Sequence, residues 1–298
     1  MKQGIETSDK RTYKNADWEL DFYSRPILEP DGKKRWELLI TTSPDISGKE
    51  PFRWEKKCPA SEVNSIWLTQ ALQEAIKTSL KMGLGSPLRL RCWRSSMKTM
   101  IKKAAEKVDL EVIESQRTYA LKEWIIEREK NIYPNEVGYI TGPFAPTQTR
   151  ILNQPVPLPE NIRGDKLSLA SIPIGMLKEA EDWPMEFSGL LPISPNQEEN
   201  ILIPGLLLFS EKRALAIAGW IGGLEPVKLS IENKQLLLEA GQDDRWLVTD
   251  LSKEEALQIK KNINESRDKA NGFQFLAVQK SPEEKSFAGF WMLRDIPD

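Results

Sequence analysis

Between Ser86 and Lys107 stand seven cations, Arg89, Arg91, Arg94, Lys98, Lys102, Lys103 and Lys107, against one acid, Glu106. Charge of this density holds anions, and the guanidinium fork matches phosphate. Trp93 lies inside the arginine row. Cations beside an aromatic face suit a single-stranded nucleic acid, with phosphates on the cations and a base on the ring. A plain solvated helix face explains part of the run. Lys98 and Lys102 are spaced i, i+4 beside the apolar Met97, Met100, Ile101 and Ala104. It explains Arg89, Arg91 and Arg94 less well, because they run along and just past one short strand. Alternation puts Arg89 and Arg91 on one face and Leu88, Leu90 and Cys92 on the other.

Other chemistry is excluded by composition. The chain has 298 residues and no histidine. No Ser-His-Asp triad, Cys-His pair, His-ligated zinc or imidazole acid–base step is open to it. The two cysteines, Cys58 and Cys92, are too few for a four-Cys zinc site. They are expected to pack as small apolar residues in a reducing compartment. The clusters Gly219-Trp220-Ile221-Gly222-Gly223 and Gly138-Tyr139-Ile140-Thr141-Gly142 match no Walker or dinucleotide fingerprint and read as turn or bulge glycines. Asp243, Asp244 and Asp250 read as a turn and a strand end. No cofactor and no metal are expected.

Carboxylates leave one catalytic alternative. A two-metal nuclease needs acids on its first strand, first helix, fourth strand and often its last helix. Asp21 fits the first strand, Glu62 or Glu74 the first helix, and Glu123 or Glu127 the last helix. The fourth strand fails: Leu88 to Ser96 contains no acid, and arginines stand where a ligand is needed. That substitution favours holding a phosphate backbone over cutting it.

The elements that carry these residues can be read from periodicity. Residues 17–25 alternate apolar and polar and stop at Pro26, which is a strand. Asp31-Gly32 marks a turn, and strands follow at Arg35–Thr42 and Phe52–Lys57. Trp18, Trp36 and Trp54 fall one per strand and are expected in the core. A helix capped by Ser61 follows, with Val63, Ile66, Trp67, Ile76 and Leu80 at helical spacing. Then come a strand at Leu88–Trp93, a helix from Ser95 or Ser96 to Val108, a strand at Glu111–Glu114 and a helix at Thr118–Asn131. The order β-β-β-α-β-α-β-α is that of the ribonuclease H-like fold.

Residues 136–160, rich in Pro and Gly, read as a linker between a basic domain over 1–135 and an acidic one over 161–298. Net charge is +5 over residues 1–135 and −7 over residues 136–298. The second domain reads as a mixed-sheet α+β unit. Strands are expected at Phe187–Ile193, Ile201–Phe209, Ala214–Ile221, Val227–Ile231, Gln235–Glu239, Arg245–Asp250, Phe273–Gln279 and Phe287–Leu293. Ser252 and Glu255 form a capping box for a helix to Ala270. No apolar run is long enough to span a bilayer, and the N-terminus lacks an apolar signal region and is rich in acids, so a soluble cytoplasmic protein is expected.

Some stretches are more specific than any of these patterns. Trp18-Glu19-Leu20-Asp21-Phe22-Tyr23-Ser24-Arg25-Pro26, Arg35-Trp36-Glu37-Leu38-Leu39-Ile40, Phe52-Arg53-Trp54-Glu55, Arg91-Cys92-Trp93-Arg94 and Trp246-Leu247-Val248 together resemble the Tab/ATAB family. Its members are RNA-binding activators of photosystem translation. The resemblance runs through nearly the whole chain, and the lack of a transit peptide fits a cyanobacterial member. It implies a non-catalytic protein that binds A/U-type 5′ untranslated regions and promotes synthesis of photosystem proteins. A Trp-Leu-Leu tripeptide is associated with RNA binding in that family; here it is Trp246-Leu247-Val248, with a conservative change at the third position. The candidate RNA contacts are therefore Arg89, Arg91, Arg94 and Lys98 for phosphate, Tyr23 and Trp93 for stacking, Arg25 beside them, and Trp246, Leu247 and Val248 from the resemblance. The partner is single-stranded RNA, with translation or photosystem assembly proteins as further partners. A metal-dependent nuclease using Asp21, Glu62 and Glu123, and an assembly scaffold acting through the acidic domain, are the alternatives.

Overall fold

A computed structural model describes residues 16–44, 50–141 and 153–296. The first half contains β1 (Trp18–Leu28), β2 (Lys34–Thr42), β3 (Arg53–Cys58), α1 (Ser65–Lys81), β4 (Arg89–Cys92), α2 (Lys98–Glu106), β5 (Glu111–Glu114) and α3 (Tyr119–Asn131). Its sheet runs β3-β2-β1-β4-β5. β2 is antiparallel to both neighbours, while β4 is parallel to β1 and to β5. This is the β-β-β-α-β-α-β-α order expected from the sequence.

The alternation of β1 sorts two environments. Trp18, Leu20 and Phe22 join Trp67, Leu68, Leu72, Ile101 and Ala104 in one core, so α1 and α2 cover that face. Glu19 and Asp21 point to the other face, where α3 packs and Leu121 N–H donates to Glu19. Trp36 and Trp54 pack against the same core as Trp18. Trp18 stacks on Phe52, and Phe22 meets both Trp36 and Trp67. The N-cap of α1 is Asn64, whose side chain accepts from Ile66 and Trp67 N–H, and not Ser61, which sits in a preceding 3-10 turn. Asn is as good a cap as Ser and stands at the position where the free N–H groups point.

The second half contains β6 (Val156–Pro157), β7 (Lys166–Pro173), α4 (Ile174–Lys178), β8 (Met185–Gly189), β9 (Leu202–Phe209), α5 (Ala214–Gly223), β10 (Pro226–Glu232), β11 (Gln235–Ala240), β12 (Asp244–Asp250), α6 (Lys253–Lys269), β13 (Phe273–Gln279) and β14 (Phe287–Arg294). Two mixed sheets result, β10-β11-β12-β6 and β7-β9-β13-β14-β8. Gln274 joins them, accepting from Leu229 N–H and donating to Leu229 C=O. The capping box of Ser252 and Glu255 is present.

Two expectations are corrected here. Ala214–Ile221 is a helix, α5, not a strand. A short run that is apolar throughout has no period to read, and Ala214, Ala216 and Ala218 favour the helix. The glycines Gly219, Gly222 and Gly223 are therefore helical rather than turn residues. Gly138 does make a turn: its φ is +87°, and a Cβ there would meet Leu28 O at 2.1 Å.

The segment read as a linker is partly woven into the fold. Leu28 N–H donates to Gly138 O and Ile140 N–H to Pro26 O, while Val156–Pro157 pairs with Trp246–Leu247. Gly142, Pro143 and Pro146 lie outside the described residues. No helix among the described residues is long and apolar enough to cross a membrane.

Candidate nucleic-acid interface

The arginine row is built by β4 and the turn after it. Leu90 and Cys92 point into the first core, which turns Arg89 and Arg91 to the other face. There each meets a carboxylate. Arg89 forks onto Asp17, with bonds of 3.0 and 2.7 Å. Arg91 forks onto Glu225 of the second half, at 2.7 and 3.0 Å, and also pairs with Asp17. Burial alone would raise the Glu225 carboxyl, but the hydrogen bond and charge of Arg91 hold it below the usual range. Arg91 is only 8% exposed. Its geometry joins the two halves of the chain.

Arg94 follows the strand end and folds back over β1. It donates to Asp21 at 2.6 Å. Arg25 pairs with the same carboxylate at 2.9 Å and with Glu37 at 3.5 Å. Burial would raise the Asp21 carboxyl, yet Arg94 and Arg25 together keep it lowered. Arg25 is 3% exposed, so its charge is spent inside. Arg128 and Tyr133 extend the buried network to Glu37.

The guanidinium of Arg94 is sandwiched between two rings, 4.0 Å from the centroid of Tyr23 and 4.0 Å from that of Trp93. Lys122 of α3 approaches Trp93 at 5.8 Å. Gln242 of the second half donates to Trp93 C=O at 3.1 Å. Tyr23, Trp93 and Lys122 are half-buried, and the Arg94 side chain is 12% exposed. The result is a cationic, aromatic column just past the C-terminal end of β4, beside the middle of β1. A base can extend such a column, and a phosphate can meet its cations.

The structure does not assemble the acids of the nuclease alternative. Asp21 lies on the α3 face of the sheet, whereas Glu62 lies on the approach to α1, which covers the opposite face. Glu123 pairs with Arg294 at 2.7 Å. Among the described residues no group of three Asp, Glu, Cys or His side chains is placed to hold a metal ion. Arg94 stands beside Asp21 where a metal would be required.

Lys98 opens α2 and pairs with Glu114, as does Lys102. Trp246, Leu247 and Val248 lie on β12, in the second half. Trp246 packs edge-on against Trp220 at 5.2 Å, and Val248 is buried in the same core. Leu247 C=O accepts from Leu158 N–H. The tripeptide thus packs and pairs within its own sheet. Lys122, Gln242 and Glu225 were not foreseen. Lys122 has one signal, an i, i+4 place from Thr118 at the open end of α3; the other two come from distant chain and carry none.

Both halves match described families. The sequence profile named "RNA-binding protein Tab2/Atab2 N terminal" covers residues 17–128, and "RNA-binding protein Tab2/Atab2, C-terminal domain" covers residues 146–294. The chain belongs to the Tab2/Atab2 family. It is 30% identical over 292 residues to a protein TAB2 homolog, chloroplastic, of Arabidopsis thaliana, covering 94% of this chain and 75% of that protein. It is 30% identical over 293 residues to the Zea mays protein of the same description, covering 94% and 72%. No solved structure matches it. This Tab2/Atab2 chain is therefore a member of an RNA-binding family, and all of its candidate contacts fall within the two matched regions.

Proposed function

We propose that this protein holds single-stranded RNA at the Tyr23–Arg94–Trp93 column without cutting it. Lys122 and Lys98 supply further phosphate contacts, and the bound strand is an A/U-type 5′ untranslated region of photosystem messages, whose translation is promoted in the cytoplasm of a cyanobacterial cell. The observation that carries the reading is the guanidinium between two half-buried rings, 4.0 Å from each. Family membership supports RNA as the partner. Arg91 and Arg25, engaged with Glu225 and Asp21, serve the frame of the site rather than its contacts.

The test is binding of labelled single-stranded RNA over a range of salt. Lys98→Gln with Lys122→Gln lowers the slope of log affinity against log salt by about 0.7 for each phosphate no longer neutralised, about 1.4 in all. Trp93→Ala costs about 1–3 kcal/mol of binding by removing a stacking surface. An unchanged slope in the double variant refutes the site. Full-length RNA recovered after incubation with magnesium or manganese is the expected result for a binder; cleavage products would restore the nuclease reading.

A further inference from the structure

We propose that β7 is a dimerisation edge, pairing antiparallel with β7 of a second copy of this chain. Each of the three sheets has two edges, and five of the six are guarded in ways that natural sheets use against edge pairing. β3 carries Arg53, Glu55, Lys56 and Lys57. β5 is four residues long and carries Glu111 and Glu114. β10 carries Lys228 and Glu232. β6 is two residues long and includes a proline. β8 is short and carries Glu186. β7 is different: it is eight residues long, and its one charge, Lys166, and its one proline, Pro173, stand at its two ends. Its inner side pairs with β9, and among the described residues no strand pairs with its outer side. Leu167, Ser168 and Ser171 are exposed.

Beside this edge lies a cleft of about 310 Å³, between β7 and α6. Leu169 and Ser171 form one wall, Ile259 and Asn262 the other, with Gly205 at the floor. Its polar rim is already satisfied, because Glu255 closes the capping box with Ser252, and Gln258 donates to Asn262. Most of its lining is apolar, a surface that fits apolar side chains. A strand laid on β7 supplies them, since main-chain bonds extend the sheet and alternate side chains enter the cleft.

The strand that fits is β7 itself. A two-fold axis normal to the sheet at Leu169 keeps Leu167, Leu169 and Ser171 of both copies on the cleft face. Leu169 then meets its own copy and Leu167 meets Ser171. No like charges oppose each other, because the one cation, Lys166, faces Ile172. The two five-stranded sheets become one of ten strands.

Sedimentation velocity on the full chain without RNA decides the matter. The wild type sediments at twice 34.0 kDa as concentration rises through the micromolar range. The doubly acidic chain (Leu167→Glu, Ser171→Glu) and the doubly basic chain (Leu167→Lys, Ser171→Lys) each stay at 34.0 kDa, and their mixture recovers the doubled mass. The substituted side chains are exposed, and unchanged circular dichroism confirms that the chains fold. A wild type that stays at 34.0 kDa overturns the proposal, whatever other strand the edge accepts. So does a doubly acidic chain that still doubles.

Discussion

Replacing Glu19 by Gln removes one proton from the centre of the first domain and makes its cost visible. Glu19 is fully buried between β1 and α3 and accepts from Leu121 N–H at 2.8 Å. Burial raises its carboxyl from 4.5 to about 8, against the lowering effect of that bond and of Arg91. The folded chain therefore holds a proton there that the unfolded chain releases above 4.5. Stability from this group is complete below 4.5 and is lost as pH rises toward and through about 8. The loss runs at about 1.4 kcal/mol per pH unit and reaches about 5 kcal/mol. The background in this window is quiet. The chain has no histidine. Other displaced carboxyls, such as Asp21, Glu114, Glu225 and Asp295, move down, and burial pushes the Cys58 and Cys92 thiols up to about 12. Gln keeps the acceptor for Leu121 N–H and cannot ionise. Urea unfolding of both proteins between pH 5.5 and 8.5 should show the wild type losing stability while Glu19→Gln stays nearly flat, so that the variant is the more stable at the alkaline end. Parallel curves would refute the placement of a protonated carboxyl at this position.

Two other perturbations separate frame from site. Arg117 donates to three backbone carbonyls of the second half, Pro226, Gly189 and Met292, at 2.8, 2.9 and 3.1 Å. Arg117→Ala orphans all three, and a loss of about 3 kcal/mol with a single thermal transition splitting into two is expected by calorimetry. Trp246→Ala removes a half-buried wall residue and should cost about 2–3 kcal/mol of stability, while the salt slope of RNA binding by the folded protein stays as in the wild type. A changed slope would return Trp246 to the RNA face.

How far the sequence reaches depends on the range of the interaction. The first half is legible because its strands alternate and its helices repeat locally, so alternation alone splits β1 into a Trp18–Leu20–Phe22 face and a Glu19–Asp21 face. β7 was missed, since Leu167-Ser168-Leu169-Ala170-Ser171 has small residues at its polar places and little contrast. α5 was misread because a run without polar residues has no period. The cations of the site were visible one by one, but their partners were not. Arg91 meets Glu225 across 134 positions, Arg94 meets Asp21 across 73 and Arg89 meets Asp17 across 72. A sequence shows that a guanidinium is present; only the fold shows that Arg91 and Arg25 are buried in ion pairs while Arg94, itself paired with Asp21, also lies between two rings. The opposite net charges of the halves foreshadowed the Arg91–Glu225 pair without specifying it.

Ultraviolet crosslinking of the full chain to single-stranded RNA, with the attached peptides mapped by mass spectrometry, addresses the proposed interface most directly. Crosslinks on the peptides that carry Tyr23 and Trp93, abolished in Trp93→Ala and reduced by added salt, are the expected result. Crosslinks confined to the second half, around Trp246 and β12, with none on β1 or the end of β4, would contradict it.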